Sequence, residues 1–286
     1  MNHVDDDDEL DTDALTLDDI GRWSVRKNDM VEYYASIYAS ITAHGSVPLT
    51  RYYIDGFANR GLSRVRDNNE VVRGSALRLL DIEHPFDSYI FVEKDPERAR
   101  DLRSNVAGRA NVEIVLGDAN DELPIHIIPR IAWSRYERAL VFLDPYNMKA
   151  LQWKTIEAVG ENPAVDAIIH FPTMDANRTV LLSDRAKIRP AMAAKMTGYW
   201  GDDSWREGAY SSEGMLQLEG VVRKRSPDEV IRAFQERLRT GAGFKYISAG
   251  LPARNSLGNI VYHLLFASHN KAALKVIRSV ERAFGT

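Results

Sequence analysis

Short apolar runs alternate along this chain with segments of helical periodicity, and this alternation is the feature that most constrains the fold. Such near-continuous runs are typical of strands buried on both faces of a sheet. The helical segments between them can provide the crossovers that parallel strands require. The runs occupy residues 52–54, 89–92, 112–116, 140–143 and 167–171. The alternation predicts an α/β fold with a mostly parallel sheet between layers of helices.

The two ends of the domain carry different patterns. Residues 27–41 repeat apolar side chains every three or four positions, which predicts an amphipathic helix ended by Gly45 and Pro48. Apolar runs at 244–248 and 260–267 predict a C-terminal antiparallel hairpin. With the five runs above, they predict a sheet of seven strands.

Residues 178–220 lose this periodicity, although they include Trp200 and Trp205. The stretch is too long for an ordinary connection, and a capping box at Ser226 starts a helix after it. We therefore predict a helical insertion or lid at about 178–240. A rigid extra layer or a docking surface for a partner is the alternative.

Charge divides the chain near residue 20. The first 20 residues hold nine acids and no Lys or Arg, which predicts an acidic disordered leader, or an interaction tail, ahead of one domain at 21–286. The remainder is only mildly basic, so strong non-specific binding to nucleic acid is not expected. No segment resembles a secretion signal or a membrane span, and we expect a cytoplasmic protein without membrane contact.

The chain contains no cysteine. Disulfides, zinc–thiolate sites, iron–sulfur clusters and a cysteine nucleophile are therefore excluded. Because the sequence also lacks a cluster of metal ligands with useful spacing, no bound metal is expected.

Four successive predicted strands are followed by an acid, namely Asp55, Glu93, Asp118 and Asp144. Open parallel sheets bind ligands at the carboxyl ends of their strands, where these four acids should meet. A turn-forming Asp would explain any one of them. The series as a whole favours a site for one nucleoside-type ligand.

The loop after the first strand supports this hypothesis. Gly56 and Gly61 would let backbone N–H groups approach a ligand, and Asp55 could accept hydrogen bonds from an ammonium or a hydroxyl group. Glu93 stands where Rossmann folds hold ribose hydroxyls. The polar residues 62–69 predict an inserted loop, and Asp95 is interpreted as a helix cap.

Several motifs resemble the class I methyltransferases and, within them, the three-Cys-motif partner family. The motifs are Trp23 with Lys27, residues 53–58, Gly74-Ser75, residues 91–95, residues 117–120 and residues 142–146. The resemblance implies a Rossmann-like class I methyltransferase fold that binds S-adenosylmethionine, and it implies a radical-SAM-like three-Cys-motif protein as a partner. The cofactor-binding residues that it implies are Asp55, Gly56, Phe57, Gly61, Glu93, Lys94, Asp118 and Ala119. Asn59 and Asn147 depart from the family pattern, which usually has Gly at both positions.

The segment Asp144-Pro145-Tyr146 resembles the Asp-Pro-Pro-Tyr motif of amino-group methyltransferases, with one proline fewer. In those enzymes the acid accepts hydrogen bonds from the target amine and the aromatic ring stacks on a flat base. The resemblance implies N-methylation of a nucleobase-like or small aromatic substrate, and an oxygen of such a substrate is the alternative acceptor. A strand-end turn with Tyr146 packed on the sheet is the alternative.

Three further residues are candidate substrate contacts: Asn147, His170 and Arg178. His170 could instead be a satisfied core histidine, and Arg178 a surface ion-pair partner. Two functions follow from the sequence: a methyltransferase, or a non-catalytic methyltransferase-like protein that binds or regulates the cysteine-bearing partner.

Overall fold

The computed structural model describes residues 17–211, 223–255 and 257–285. The strands are β1 (Asp18–Ile20), β2 (Thr50–Asp55), β3 (Leu62–Val65), β4 (Val71–Arg73), β5 (Ser88–Glu93), β6 (Val112–Leu116), β7 (Glu137–Leu143), β8 (Val165–Phe171), β9 (Tyr210–Ser211), β10 (Arg223–Lys224), β11 (Tyr246–Ile247), β12 (Leu251–Arg254) and β13 (Ile260–Ser268). The helices are α1 (Arg22–Ala43), α2 (Ser75–Arg78), α3 (Pro96–Asn105), α4 (Ala119–Glu122), α5 (Trp153–Glu161), α6 (Thr173–Thr179), α7 (Pro190–Trp200), α8 (Trp205–Ala209), α9 (Pro227–Thr240) and α10 (Ala273–Phe284).

The central sheet has the order β6, β5, β2, β7, β8, β13, and both β11 and β12 pair with the far side of β13. Neighbouring strands from β6 to β8 are parallel, whereas β13 is antiparallel to β8, β11 and β12. This arrangement confirms the predicted Rossmann-like fold, with seven strand positions and a C-terminal antiparallel hairpin.

The first arm of that hairpin is interrupted. β11 and β12 occupy one strand position, and Gly250 lies between them with φ +86°. A Cβ atom there would lie 2.9 Å from a methyl carbon of Ile231. The sequence pattern assigned the residues between 248 and 260 to the connection between the two arms. In the structure, part of that connection is β12, because the chain resumes pairing with β13 after Gly250.

Helices cover both faces of the sheet. One buried cluster joins α1, α2, α3 and α10 to one face of the sheet. A second cluster joins the other face to α4, α5, α7, α8 and α9. The amphipathic helix predicted from residue 27 is α1, which begins one turn earlier than its apolar repeat. The capping box at Ser226 starts α9 as predicted, with reciprocal hydrogen bonds between Ser226 and Glu229.

The predicted inserted loop at 62–69 is wrong. Its residues form β3 and the turn after it, and β3 pairs with β4 on one side and β1 on the other. Leu62 and Val65 are both buried, although the polar composition of the segment gave no sign of it.

The end of the predicted acidic leader is also a strand rather than disordered chain. Asp18–Ile20 form β1, while residues 1–16 lie outside the described residues. Asp18 is held by Arg60 and Arg98, and the guanidinium of Arg60 also contacts Asp101. Because Arg60 is only 7% exposed, these carboxylates compensate a largely buried charge.

The segment predicted as an insertion or lid packs into the core where it is described. Trp200 and Trp205 are 2% and 0% exposed, and the rings of Tyr199 and Trp200 contact Phe234 of α9 at centroid distances of 5.5 and 5.2 Å. This packing favours the rigid layer over the mobile lid. Residues 212–222, which belong to the same predicted segment, lie outside the described residues.

We expect the amides of α7 to be strongly protected from hydrogen exchange in the absence of any ligand, because the helix is anchored by buried aromatic rings. Exchange measured with and without S-adenosylmethionine tests this expectation, with α5 as the internal reference. A lid would exchange faster than α5 and slow markedly when the ligand is added.

Among the described residues, no helix combines the length and apolar character needed to cross a membrane.

Candidate functional site

The four strand-end acids meet at one edge of the sheet. β7, β2, β5 and β6 are adjacent and parallel, so their carboxyl ends lie side by side. Asp55 and Glu93 are the last residues of β2 and β5, and Asp144 and Asp118 follow β7 and β6. The sequence-predicted clustering of these residues is therefore observed.

Asp55 is completely buried and bonded within the chain. One of its carboxylate oxygens accepts a hydrogen bond from the N–H of Phe57 at 3.0 Å, and the other accepts one from the hydroxyl of Ser75 at 2.6 Å. Burial raises the pKa of Asp55 to about 7, despite these hydrogen bonds. The expected direct contact of Asp55 with a ligand finds no support in this arrangement. The side chain ties the loop after β2 to the start of α2.

Glu93 joins two loops of the site. One carboxylate oxygen accepts a hydrogen bond from the N–H of Asn59 at 2.9 Å, and the other accepts one from the N–H of Asp95 at 2.8 Å. Each oxygen keeps a second lone pair with which it could accept a hydrogen bond from a ligand. Asp95 caps α3 by accepting from the N–H groups of Glu97 and Arg98, as expected.

The two asparagines that depart from the family pattern are both folded back on their own loops. Asn59 has φ +57°, in the left-handed region that Asn tolerates better than most residues, and its Oδ1 accepts from the N–H of Arg60 at 2.7 Å. Asn147 has a negative φ, and its Oδ1 accepts from the N–H of Lys149 at 2.9 Å. Only Asn59 therefore occupies a conformation that favours glycine.

Asp118 begins α4 and is held by two neighbours. Its Oδ1 accepts hydrogen bonds from the backbone and side-chain N–H groups of Asn120, both at 2.9 Å, and its Oδ2 lies 2.7 Å from Nζ of Lys94. Burial opposes ionisation, but the hydrogen bonds from Lys94 and Asn120 outweigh it and lower the pKa of Asp118. Ala119, the first residue of α4, is buried beside this carboxylate.

Asp144 forms an ion pair with Lys27 of α1. The Nζ atom of Lys27 lies 2.7 Å from Oδ1 and 2.5 Å from Oδ2, and the two side chains are 13% and 19% exposed. Nδ1 of His170, the residue before the end of β8, lies 3.6 Å from Oδ1 of Asp144. The sequence singled out Lys27 only as part of a family motif, and it did not reveal this contact because 117 residues separate the partners.

The remaining predicted substrate residues are exposed to different degrees. Tyr146 is 92% exposed, so the alternative in which it packs on the sheet is wrong. Arg178 is exposed and forms no ion pair with the described residues. Pro145 is buried at the start of the loop that presents Tyr146.

A separate apolar pocket lies at the opposite edge of the sheet. Trp133, Arg138 and Asp166 line it, and the last two are the second residues of β7 and β8. It therefore lies away from the strand-end acids and is not part of the candidate site.

The donor set at the carboxyl edge fits a nucleoside cofactor. Glu93 retains acceptor capacity beside the loop that holds Asn59, and Asp118 provides a carboxylate of lowered pKa after the next strand. Among the described residues, no group of three His, Asp or Glu side chains could hold a metal ion.

Comparison with known proteins finds likeness only among solved structures. No protein-family model matches the chain, and no curated protein matches it. Protein LPL1258 from Legionella pneumophila shares 10% identity over 90% of this chain and 92% of its own, with a TM-score of 0.49. The M. jannaschii TYW2 protein, solved with AdoMet, shares 11% identity over 90% of this chain and 79% of its own, with a TM-score of 0.40. Aeropyrum pernix fibrillarin, solved with natively bound S-adenosyl-L-methionine, shares 13% identity over 83% of this chain and 76% of its own, with a TM-score of 0.38.

At these identities and TM-scores, the similarities carry no argument about what this chain binds or does. Its own strand order defines a class I methyltransferase-like fold. Membership of the three-Cys-motif partner family, the cysteine-bearing partner and a cytoplasmic location stay predictions.

Proposed function

We propose that this protein is an S-adenosylmethionine-dependent methyltransferase whose reaction takes place at the carboxyl edge of the central sheet. The observation that carries the proposal is the meeting of four acids on adjacent strand ends, with Glu93 bonded to the loop that follows β2. Nucleoside ligands of open parallel sheets bind at this edge. The cofactor supplies an activated methyl group, and the protein positions the acceptor.

Glu93 and Asp118 are the proposed contacts to the ribose and the base, with Lys94 and Ala119 beside them. Gly56, Phe57 and Gly61 shape the loop that lies against the cofactor. Asp55 acts indirectly in this proposal, because it is completely buried with both oxygens bonded to Phe57 and Ser75, whereas Glu93 is 8% exposed. Each of these residues is assigned its role from its place at the sheet edge and from its hydrogen bonds.

Asp144, Pro145 and Tyr146 form the acceptor side of the proposed site, with Asn147, His170 and Arg178 as further substrate contacts. The exposed ring of Tyr146 offers a stacking surface for a flat, nucleobase-like or small aromatic substrate. The resemblance implies a nitrogen acceptor at Asp144. The ion pair with Lys27 affects which acceptor group Asp144 can bind.

Calorimetry with S-adenosylmethionine and with its demethylated product tests the proposed function directly. Glu93→Gln should weaken binding by about 1–3 kcal/mol, the scale for hydrogen bonds to a charged acceptor. The same change should lower the free energy of unfolding without ligand by about 1–3 kcal/mol, because the amide cannot accept from both Asn59 and Asp95.

Glu113→Gln is the matched control, since Glu113 lies at the surface and pairs only with Arg130 among the described residues. It should leave cofactor affinity unchanged. Absence of binding by the unmodified protein would refute the proposed function, and unchanged affinity in Glu93→Gln would remove Glu93 from the cofactor site.

A further inference from the structure

Three polar groups from three separate elements meet beside the proposed methyl-transfer position. Lys27 lies on α1, Asp144 follows β7, and His170 lies near the end of β8. The Lys27 ammonium contacts both oxygens of Asp144, and the His170 ring lies against the same carboxylate. All three side chains are less than one-fifth exposed.

Not all hydrogen-bonding groups of this cluster have a partner among the described residues. An ammonium group has three donors, and the two oxygens of Asp144 engage two of them at most, so Lys27 has a donor left. Nδ1 of His170 is buried and has no hydrogen-bond partner in the described part of the chain. A buried nitrogen without a partner is costly and calls for a ligand or a water.

His170 is fixed by a contact to its ring and by a hydrogen bond to its backbone. It lies 4.8 Å from the ring of Tyr262, and the hydroxyl of Tyr199 donates to the backbone oxygen of His170 at 2.9 Å. Burial lowers the pKa of His170 to about 3, although the Asp144 carboxylate acts in the opposite direction. The imidazole is therefore neutral at neutral pH, and its unprotonated nitrogen can accept a hydrogen bond.

A hydroxyl group complements this cluster better than an amine. Its oxygen can accept from Lys27 and its hydrogen can be donated to Nδ1 of His170, while a second lone pair stays free to attack a methyl group. An amine has a single lone pair, which is needed for the attack itself. An amine would therefore leave the remaining N–H of Lys27 without a hydrogen-bond acceptor.

We propose that the methyl acceptor is a hydroxyl oxygen, bound by Lys27 and deprotonated by His170. The inference rests on the proposed methyltransferase function and specifies the substrate class of the same site. An oxygen–carbon bond forms as the sulfur–carbon bond of the sulfonium breaks, and the bonding pair stays on sulfur, which becomes neutral. The hydroxyl attacks with its proton still attached and becomes strongly acidic as it gains the methyl group, so the proton then passes to Nδ1 of His170 even though this imidazole is a weak base. Asp144 stabilises the imidazolium until water accepts the proton.

The first test does not depend on turnover. Phenol and aniline, which differ only in the hydroxyl or amino group, are titrated into protein saturated with S-adenosylhomocysteine while the ring nitrogens of His170 are followed by nitrogen-15 NMR. We expect phenol to shift the Nδ1 signal and aniline at the same concentration to leave it in place. Preference for aniline, or no response to either compound, would overturn the proposal.

The second test reads the transferred atom. S-adenosylmethionine carrying a carbon-13 methyl group is incubated with the protein and both compounds, and the chemical shift of the product methyl distinguishes oxygen from nitrogen. Lys27→Met and His170→Phe should each reduce transfer to oxygen at least tenfold, within the range for general base catalysis. Their calorimetric affinity for S-adenosylmethionine should stay unchanged.

Lys154→Met provides the matched control, because Lys154 forms an exposed ion pair with Asp121 at 3.0 Å. It should leave transfer and the phenol response as they are. Label on nitrogen, or no transfer by a protein that binds the cofactor, contradicts the hydroxyl proposal, whereas failure to bind the cofactor refutes the proposed function instead.

Discussion

The contribution of Asp55 to the free energy of unfolding should fall by an amount on the order of 4 kcal/mol as the pH rises from about 4 to about 7, because Asp55 keeps its proton only in the folded protein. Burial raises the pKa of this carboxyl from 3.8 to about 7. Between those values the folded chain binds the proton more tightly than the unfolded chain does. The stabilisation is complete below the unfolded pKa and is lost as the pH rises through the folded pKa.

Asp55→Asn should remove most of this decline. The amide can still accept from the N–H of Phe57 and can donate to the hydroxyl of Ser75, so the two contacts are kept without a titrating group. Unfolding by urea at a series of pH values measures both proteins. Burial also raises the pKa of Asp166 to about 6 and lowers the pKa of His170 to about 3 and of His263 to about 4. The histidine contributions have the opposite sign, but all three are common to both proteins and cancel in the difference.

Asp95→Asn is the control for this pH series. Asp95 caps α3 with an exposed side chain, and hydrogen bonds from Arg98 and Glu97 lower its pKa, so its contribution has the opposite sign. Asn is an equally good cap, and the variant should retain the decline. The same pH dependence in the unmodified protein and in Asp55→Asn would show that the buried carboxyl makes no such contribution.

Gly61→Ala should lower the free energy of unfolding by about 2–4 kcal/mol, from backbone strain and overpacking combined. Gly61 has φ +85°, and a Cβ atom there would lie 2.9 Å from Cγ of Leu77 and 3.0 Å from Cδ1 of Leu102. Its backbone oxygen accepts from the N–H of Gly74 at 2.7 Å, so displacement would disturb the loop beside the proposed cofactor site.

Gly108→Ala separates the two causes. Gly108 has φ +83° but nothing lies within 4 Å of the added Cβ, so only strain applies and the loss should be about 1–2 kcal/mol. Any gain from reduced freedom of the unfolded chain is common to both variants. Urea unfolding of the two proteins gives the cost of the clash as their difference, and equal losses would contradict the packing argument.

Local patterns were sufficient for the elements whose causes are local. The buried parallel strands are apolar runs, and α3 and α9 begin at Asp95 and Ser226 because these side chains cap their own helices. Where burial depended on a distant partner, the same reasoning failed. β3 was missed because it forms only by pairing with β1 and β4, and β1 was assigned to a disordered leader for the same reason.

The sequence by itself determined that four acids follow strands of one parallel sheet, since parallel strands must bring their carboxyl ends to the same edge. Only the tertiary structure decided what these acids contact. The carboxylate of Asp55 accepts hydrogen bonds from Phe57 and Ser75. Asp144 is paired with Lys27, which lies 117 residues earlier in the chain. Periodicity and capping report a residue's neighbours along the chain, whereas hydrogen-bond partners at the sheet edge are set by how whole elements pack.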